Sequence, residues 1–140
     1  MERTRKDFSM TEKLLFTGKT HNTGGRNGGT RSSDGQLDLR LAQPHPAAEQ
    51  LFGAAWSACF IAAVGVAASQ RKIKLPADAE IDTEIDLNVG DGSYFLRARL
   101  NVSVPGVDRE LARELVDAAH GICPYSKATR GNIDVSINLV

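Results

Sequence analysis

The sequence predicts a single α+β domain, and three observations carry that expectation. Several segments alternate apolar and polar residues with period two, the mark of strands with one buried face. Residues 51–68 hold no charged side chain, as expected of a helix buried on all sides. A further segment near Asp108–His120 places Leu111, Leu115, Ala118 and Ala119 at helical spacing. The predicted order is ββαββαβ, built on antiparallel hairpins.

Along the chain, Glu12 to Asn22 reads as a strand ending in glycine-rich punctuation. Residues 23–30, with four glycines around Arg26 and Asn27, read as a loop between strands. The turn Ser32-Ser33-Asp34-Gly35 feeds Gln36 to Ala42, where Leu37, Leu39 and Leu41 alternate with Asp38 and Arg40. Gln43-Pro44-His45-Pro46 breaks the pattern, because proline cannot donate to a ladder. A central helix is expected from Ala47 or Ala48 to about Gln70. Glu49 at its start and Arg71 and Lys72 at its end suit the helix dipole.

Ile81, Thr83, Ile85, Leu87 and Val89 form the next alternating run, and Gly90-Asp91-Gly92 turns it into a second over Tyr94–Val104. Asp108 is the expected N-cap of the second helix. That helix should end near His120-Gly121, because Pro124 bars its simple continuation. Asn132–Val140 alternates once more and reads as the last strand. No repeat or internal boundary is visible, so residues 12–140 are read as one domain behind a disordered lead of residues 1–11. Met10 is an alternative start within that lead.

Composition excludes several function classes. Seventeen basic residues balance seventeen acidic ones, which argues against the basic face of a nucleic-acid binder. The charged start leads into no apolar segment and is no secretory signal. The uncharged run at 51–68 reaches the lower limit for a membrane span. Seven of its residues are alanine and two are glycine, so it reads as a core helix and not as a membrane span. A cytoplasmic protein is the expectation. In that compartment two cysteines point to a metal, catalytic or redox pair rather than a structural disulfide.

Those cysteines are the chemical candidates. Cys59 sits inside the central helix and Cys123 opens the run Cys123-Pro124-Tyr125-Ser126. An ordinary thiol is only about 3% ionised at pH 7, and apolar surroundings ionise it less. Lowering the Cys59 pKa to about 6 needs roughly 3.4 kcal/mol of preference for the thiolate. A partly buried arginine supplies much of that. Arg26, flanked by glycines that permit close backbone approach, is the best candidate; the bland alternative is an exposed arginine in a loop. Glu49 stands ten residues before Cys59, about 15 Å along a straight helix, and on spacing alone reads as a helix-start acid. His120, three residues before Cys123, could join both cysteines in a metal site or act as a helix-end group. The loop around Arg26 has neither the dinucleotide nor the P-loop spacing.

Taken together, Glu49-Gln50-Leu51-Phe52, Trp56-Ser57-Ala58-Cys59-Phe60, Cys123-Pro124-Tyr125-Ser126 and residues 128–135 closely resemble the organic hydroperoxide resistance proteins of the Ohr/OsmC superfamily. Thr23-Gly24-Gly25-Arg26 with Ser32-Ser33-Asp34-Gly35 adds to the match, which spans residues 12–140. The resemblance implies an OsmC-like fold, with antiparallel sheets wrapped around a long central helix in an intertwined homodimer. It implies a thiol peroxidase for alkyl or fatty-acid hydroperoxides with no metal, haem or flavin cofactor. Cys59 would be the peroxidatic and Cys123 the resolving cysteine. Arg26 would stabilise the thiolate and orient the peroxide, and Glu49 would hold Arg26. The implied reductant is an external dithiol, a dihydrolipoyl group on a carrier protein.

The chain departs from the pattern in a shortened segment at 43–48, in Lys127 where asparagine is common, and in Trp56 where a smaller residue or tyrosine stands. Three rivals remain open at this stage. They are a metal-binding or metal-sensing module using Cys59, His120 and Cys123, a redox sensor, and the osmotically induced branch of the same superfamily.

Overall fold

The computed structural model describes residues 12–42 and 46–140. The expectations of a disordered lead at 1–11, a start at Met10 and a break at residues 43–45 lie outside the described residues. Residues 12–42 fall in one compact unit and residues 46–140 in a second.

The first unit is a three-stranded antiparallel sheet of β1 (Thr20–Thr23), β2 (Gly29–Ser32) and β3 (Asp38–Arg40), in that order. The strand expected over Glu12–Asn22 is shorter than anticipated, since residues 12–19 take no regular structure. The reason is pairing. β2 offers partners only from Gly29, opposite Thr23, to Ser32, opposite Thr20, and an extended chain becomes a strand only where a neighbour takes its hydrogen bonds. β2 itself lies largely where the sequence suggested a loop, because Gly28-Gly29 masks any alternation. The Leu37/Leu39/Leu41 alternation holds, with the leucines half-buried and Asp38 and Arg40 exposed. In the intervening turn, Asp34 Oδ1 accepts from Ser32 Oγ at 2.5 Å and from the Gln36 N–H at 3.0 Å. These bonds, the serine's first, hold the Asp34 carboxyl below its ordinary pKa.

The second unit opens with the long central helix α1 (Ala48–Gln70). The Gln50 side chain accepts from the Ala47 N–H at 2.7 Å, half of a capping box. At the far end Lys72 takes φ 57°. The Ile73 N–H then bonds to the Ala68 carbonyl at 2.9 Å and the Lys72 N–H to the Ser69 carbonyl at 3.0 Å. That is a Schellman stop with lysine in the place glycine usually takes. By length and composition α1 could cross a membrane, a test that the core helix of a soluble protein also passes. Here Trp56, Phe60, Val64 and Ala67 are fully buried in the unit's own core.

β4 (Glu80–Gly90) and β5 (Ser93–Ser103) form the expected hairpin, paired without a slip from Glu80 opposite Ser103 to Gly90 opposite Ser93. The turn places Asp91 and Gly92 at φ 51° and 75°, as a two-residue hairpin with right-handed strand twist demands. One face carries Ile81, Ile85, Ala98, Leu100 and Val102 into the core. The other carries charge, with Arg99 bonding Glu84 at 3.0 Å and Asp86 at 2.7 and 2.8 Å.

α2 (Arg109–Ile122) begins as expected, with Asp108 accepting the Leu111 N–H at 3.3 Å. It runs past His120-Gly121 and stops at Cys123. Pro124 does end it, yet also starts a short helix that the sequence did not predict, α3 (Pro124–Thr129). Proline lacks only an N–H that the first helical position leaves unpaired anyway. β6 (Asp134–Leu139) then joins β5, giving the order β4-β5-β6. Its pairing is parallel, so the expectation of purely antiparallel pairing gives way to a mixed sheet. The two intervening helices provide the crossover that parallel pairing requires. Two three-stranded sheets with a long central helix make this an α+β fold.

Candidate active site

Cys59 lies near the middle of α1 and is half-buried, while Cys123 is fully buried where α2 ends and α3 begins. The two thiols are unpaired and share one core, in which Cys59 packs against the cluster that contains Cys123. Cys123 serves two helices at once. Its N–H bonds to the Ala119 carbonyl at 2.8 Å, and its own carbonyl accepts from the Lys127 N–H at 3.0 Å. Backbone on both sides therefore fixes where this thiol sits.

Burial pushes the Cys59 thiol above its ordinary pKa, and the nearby Cys123 raises it further. A thiolate at Cys59 thus needs a cation brought to it.

Arg26 lies in the first unit, on a one-turn 3₁₀ helix (Gly25–Asn27) between β1 and β2. Only glycines can close that turn. Gly24 takes φ 71°, and a Cβ built on Gly28 would stand 1.6 Å from the Thr23 carbonyl oxygen. The close backbone approach expected of these glycines is made here to the end of β1.

Glu49 lies in the first turn of α1, where it favours the helix dipole. It lines a groove of about 380 Å³ between the start of α1 and β4, together with Ser57, Thr83, Ile81 and Ile85. Ser57 Oγ there donates to the Gly53 carbonyl at 2.7 Å and lies 2.6 Å from Thr83 Oγ1. Gly53 faces β4, where a Cβ built on it would make ordinary contact with Ile85 and Thr83.

His120 lies in the last turn of α2, which continues to Ile122, and its backbone carbonyl accepts from the Arg130 guanidinium; its ring does not cap the helix end as the sequence suggested. Its Nδ1 is buried without a hydrogen-bond partner among the described residues. Burial, then the charge of Arg130, lowers its pKa against an opposing pull from Asp117. Among the described residues no three His, Cys, Asp or Glu side chains come together to hold a metal ion. Cys59, His120 and Cys123 therefore do not assemble the three-ligand site that the rival reading needs.

One contact near the thiols was not foreseen. The Trp56 indole N–H donates to Ser126 Oγ at 3.2 Å, with both residues fully buried. The only advance signal was that a buried tryptophan must find an acceptor for its N–H.

The sequence matches the OsmC-like protein family over residues 41–138. An organic hydroperoxide resistance protein of Xanthomonas axonopodis pv. citri is 42% identical over 137 residues, covering 91% of this chain and 96% of the relative. The crystal structure of the organic hydroperoxide resistance protein OhrB of Bacillus subtilis superposes with a TM-score of 0.84. It is 41% identical, covering 91% of this chain and all of that one. This chain belongs to the organic hydroperoxide resistance proteins of the OsmC-like family. A Vibrio cholerae member, 30% identical with a TM-score of 0.85, covers 92% of this chain and 94% of its own, and was crystallised with captopril in one of its active sites.

Proposed function

We propose that the protein is a cysteine-based peroxidase that reduces organic hydroperoxides to alcohols. The observation that carries this reading is the meeting of Cys59 and Cys123, two free thiols from distant parts of the chain, in one core. The Cys59 thiolate attacks the distal oxygen of ROOH, the O–O bond breaks, and ROH leaves after taking one proton. Cys59 is left as a sulfenic acid. The Cys123 sulfur then attacks the Cys59 sulfur, an S–S bond forms, and the hydroxyl departs as water with the Cys123 proton. An external dithiol reopens the disulfide by exchange and is itself oxidised to a disulfide. A dihydrolipoyl group on a carrier protein is the proposed reductant, and the cytoplasm the proposed compartment.

Both influences on the Cys59 pKa push it up, so the reading requires a guanidinium to favour the thiolate. Arg26 is assigned that role, with Glu49 as the carboxylate that restrains it. Support for Arg26 is its display on a turn that tolerates no other closure than glycine. Phe52, Trp56 and Phe60 around the Cys59 turn of α1 suit an alkyl or fatty-acid hydroperoxide better than hydrogen peroxide.

The working form is proposed to be a homodimer. The α1 face of Ala54, Ala58, Ala62 and Val66 is exposed. The core-side face of the β4–β5 hairpin leaves Leu87, Val89 and Tyr94 48%, 66% and 76% exposed. Apolar faces of this kind mark contact surfaces, and a second copy of this chain is the proposed occupant.

Intact-mass measurement after treating the reduced protein with cumene hydroperoxide tests the chemistry. The wild-type protein should lose two hydrogens, and Cys59→Ser should neither change mass nor consume peroxide. A wild-type protein that stays fully reduced while peroxide is present in excess would falsify the proposal.

A further inference from the structure

Trp56 precedes Cys59 by three residues and Ser126 follows Cys123 by three. Each lies about 4.5 Å along its helix from the cysteine it accompanies. The indole N–H and the serine hydroxyl meet at 3.2 Å with neither residue exposed, so the bond links the two cysteine-bearing segments one turn away from the thiols. α3, which carries Ser126, is six residues long, far too short to hold its place without tertiary contacts. Phe52 packs edge-on against the Trp56 ring, centroids 5.9 Å apart at 84°, which fixes the direction of the indole N–H. On the α3 side, the Ser126 carbonyl accepts from the Arg130 N–H at 2.9 Å and from Thr129 Oγ1 at 3.2 Å, so the donor-facing hydroxyl sits on a braced turn.

A disulfide tolerates only a narrow window of separation and dihedral angle. A small slide of α3 along α1 therefore changes the condensation rate steeply. We infer that Trp56 and Ser126 form a positioning clamp that sets the separation of Cys59 and Cys123. The clamp thereby decides whether a Cys59 sulfenic acid closes to the disulfide or is oxidised again. This rests on the peroxidase reading above.

The two fates balance as follows. In closure, the Cys59 S–OH and the Cys123 S–H give the S–S bond and water, with no outside reagent. In over-oxidation a second ROOH gives its distal oxygen to the sulfenic sulfur, which becomes sulfinic acid as ROH is released. The peroxide attack on the Cys59 thiolate precedes both and forms no bond to Cys123.

The test compares wild-type protein with Trp56→Phe, Ser126→Ala and the double variant under rising tert-butyl hydroperoxide, resolving disulfide from sulfinic product by intact mass. We expect the disulfide-to-sulfinate ratio to fall about tenfold in all three, the size of effect that losing one buried hydrogen bond has on a rate. In Ser126→Ala, which leaves the apolar residues around Cys59 in place, the rate of the first oxidation should hardly change. Each single variant leaves one buried polar group without its partner, whereas the double variant removes both. The melting temperature of the double variant should therefore recover toward wild type while its ratio does not. A ratio that recovers along with the melting temperature, or that never changes, overturns the clamp while leaving the peroxidase reading intact. A wild-type protein that forms no disulfide sinks both. Trp56 is the chain's single tryptophan, so its indole N–H gives one proton NMR signal in the unmodified protein. That signal should exchange slowly with solvent, and fast exchange also overturns the clamp.

Discussion

Cys123 lies close enough to Cys59 to raise its pKa, adding to the effect of burial. Both effects favour the neutral thiol, and that sets the sign of two pH responses. Replacing Cys123 with serine removes one of them, so the pH midpoint for Cys59 alkylation by iodoacetamide should move down. Arg26→Gln should move it up if the guanidinium favours the thiolate, and should cut peroxidase kcat/KM at least about tenfold, equivalent to one pH unit of thiolate preference. An Arg26→Gln protein with an unmoved midpoint would remove Arg26 from the assigned role.

The same shift has a consequence for stability. A group whose pKa is higher folded than unfolded contributes most below its unfolded value, near pH 8.5 for a thiol, and loses that contribution as pH rises through the folded value. Reduced wild-type protein should therefore lose stability on the alkaline side, with a shallower decline in Cys59→Ala. Thermal melts of reduced protein across that range check it.

On the outer face of the second sheet, Arg99 grips Asp86 through two bonds and Glu84 through two more. The Asp86 carboxyl is held below its ordinary pKa, chiefly by its hydrogen bonds to Arg99. A lowered carboxylate stabilises above its unfolded value, about pH 4, and the effect disappears as pH falls through the folded value. Asp86→Asn should melt at a lower temperature than wild type near neutral pH, and the two curves should converge in strong acid. Parallel curves at every pH would mean that the ion pair contributes nothing.

Gly28 cannot accept a side chain, because its Cβ would fall 1.6 Å from a backbone oxygen that has no room to yield. Gly28→Ala should therefore distort the Arg26 turn and lower stability by about 3 kcal/mol or more. Gly35→Ala is the comparison. Unlike Gly28, which sits at φ −106°, it has a positive φ, 75°, with open space where the methyl would go, so it should cost only about 1 kcal/mol. Equal melting temperatures for the two variants would contradict this account of the loop.

Much of the architecture was legible from residue order alone. The β4–β5 hairpin announced itself through Ile81–Val89 and Tyr94–Val104, because one buried face forces period two. α1 followed from its uncharged run and charged ends, and α2 from Asp108 and the Leu111/Leu115 stripe. The chemistry-bearing candidates Cys59, Cys123, Arg26 and Glu49 came from short local strings, whose resemblance to a family needs no coordinates. What neighbours decide was hidden. β2 is only four residues long and starts on a glycine, too short to show an alternation, and β1 extends only as far as β2 pairs with it. β6 joins β5 in parallel, although nothing in Asp134–Leu139 encodes a direction. α3 is a single short helix of six residues, bonded to α1 through Ser126 and Trp56. Local periodicity and end residues are properties of a few neighbouring positions, so the sequence by itself determined the main elements, their order and the residues able to do thiol chemistry. Strand direction, the burial of Cys123 in the core that Cys59 packs against and the bond between Trp56 and Ser126 depend on residues far apart in the chain. Only the tertiary structure decided those, because only packing brings such residues within reach of one another.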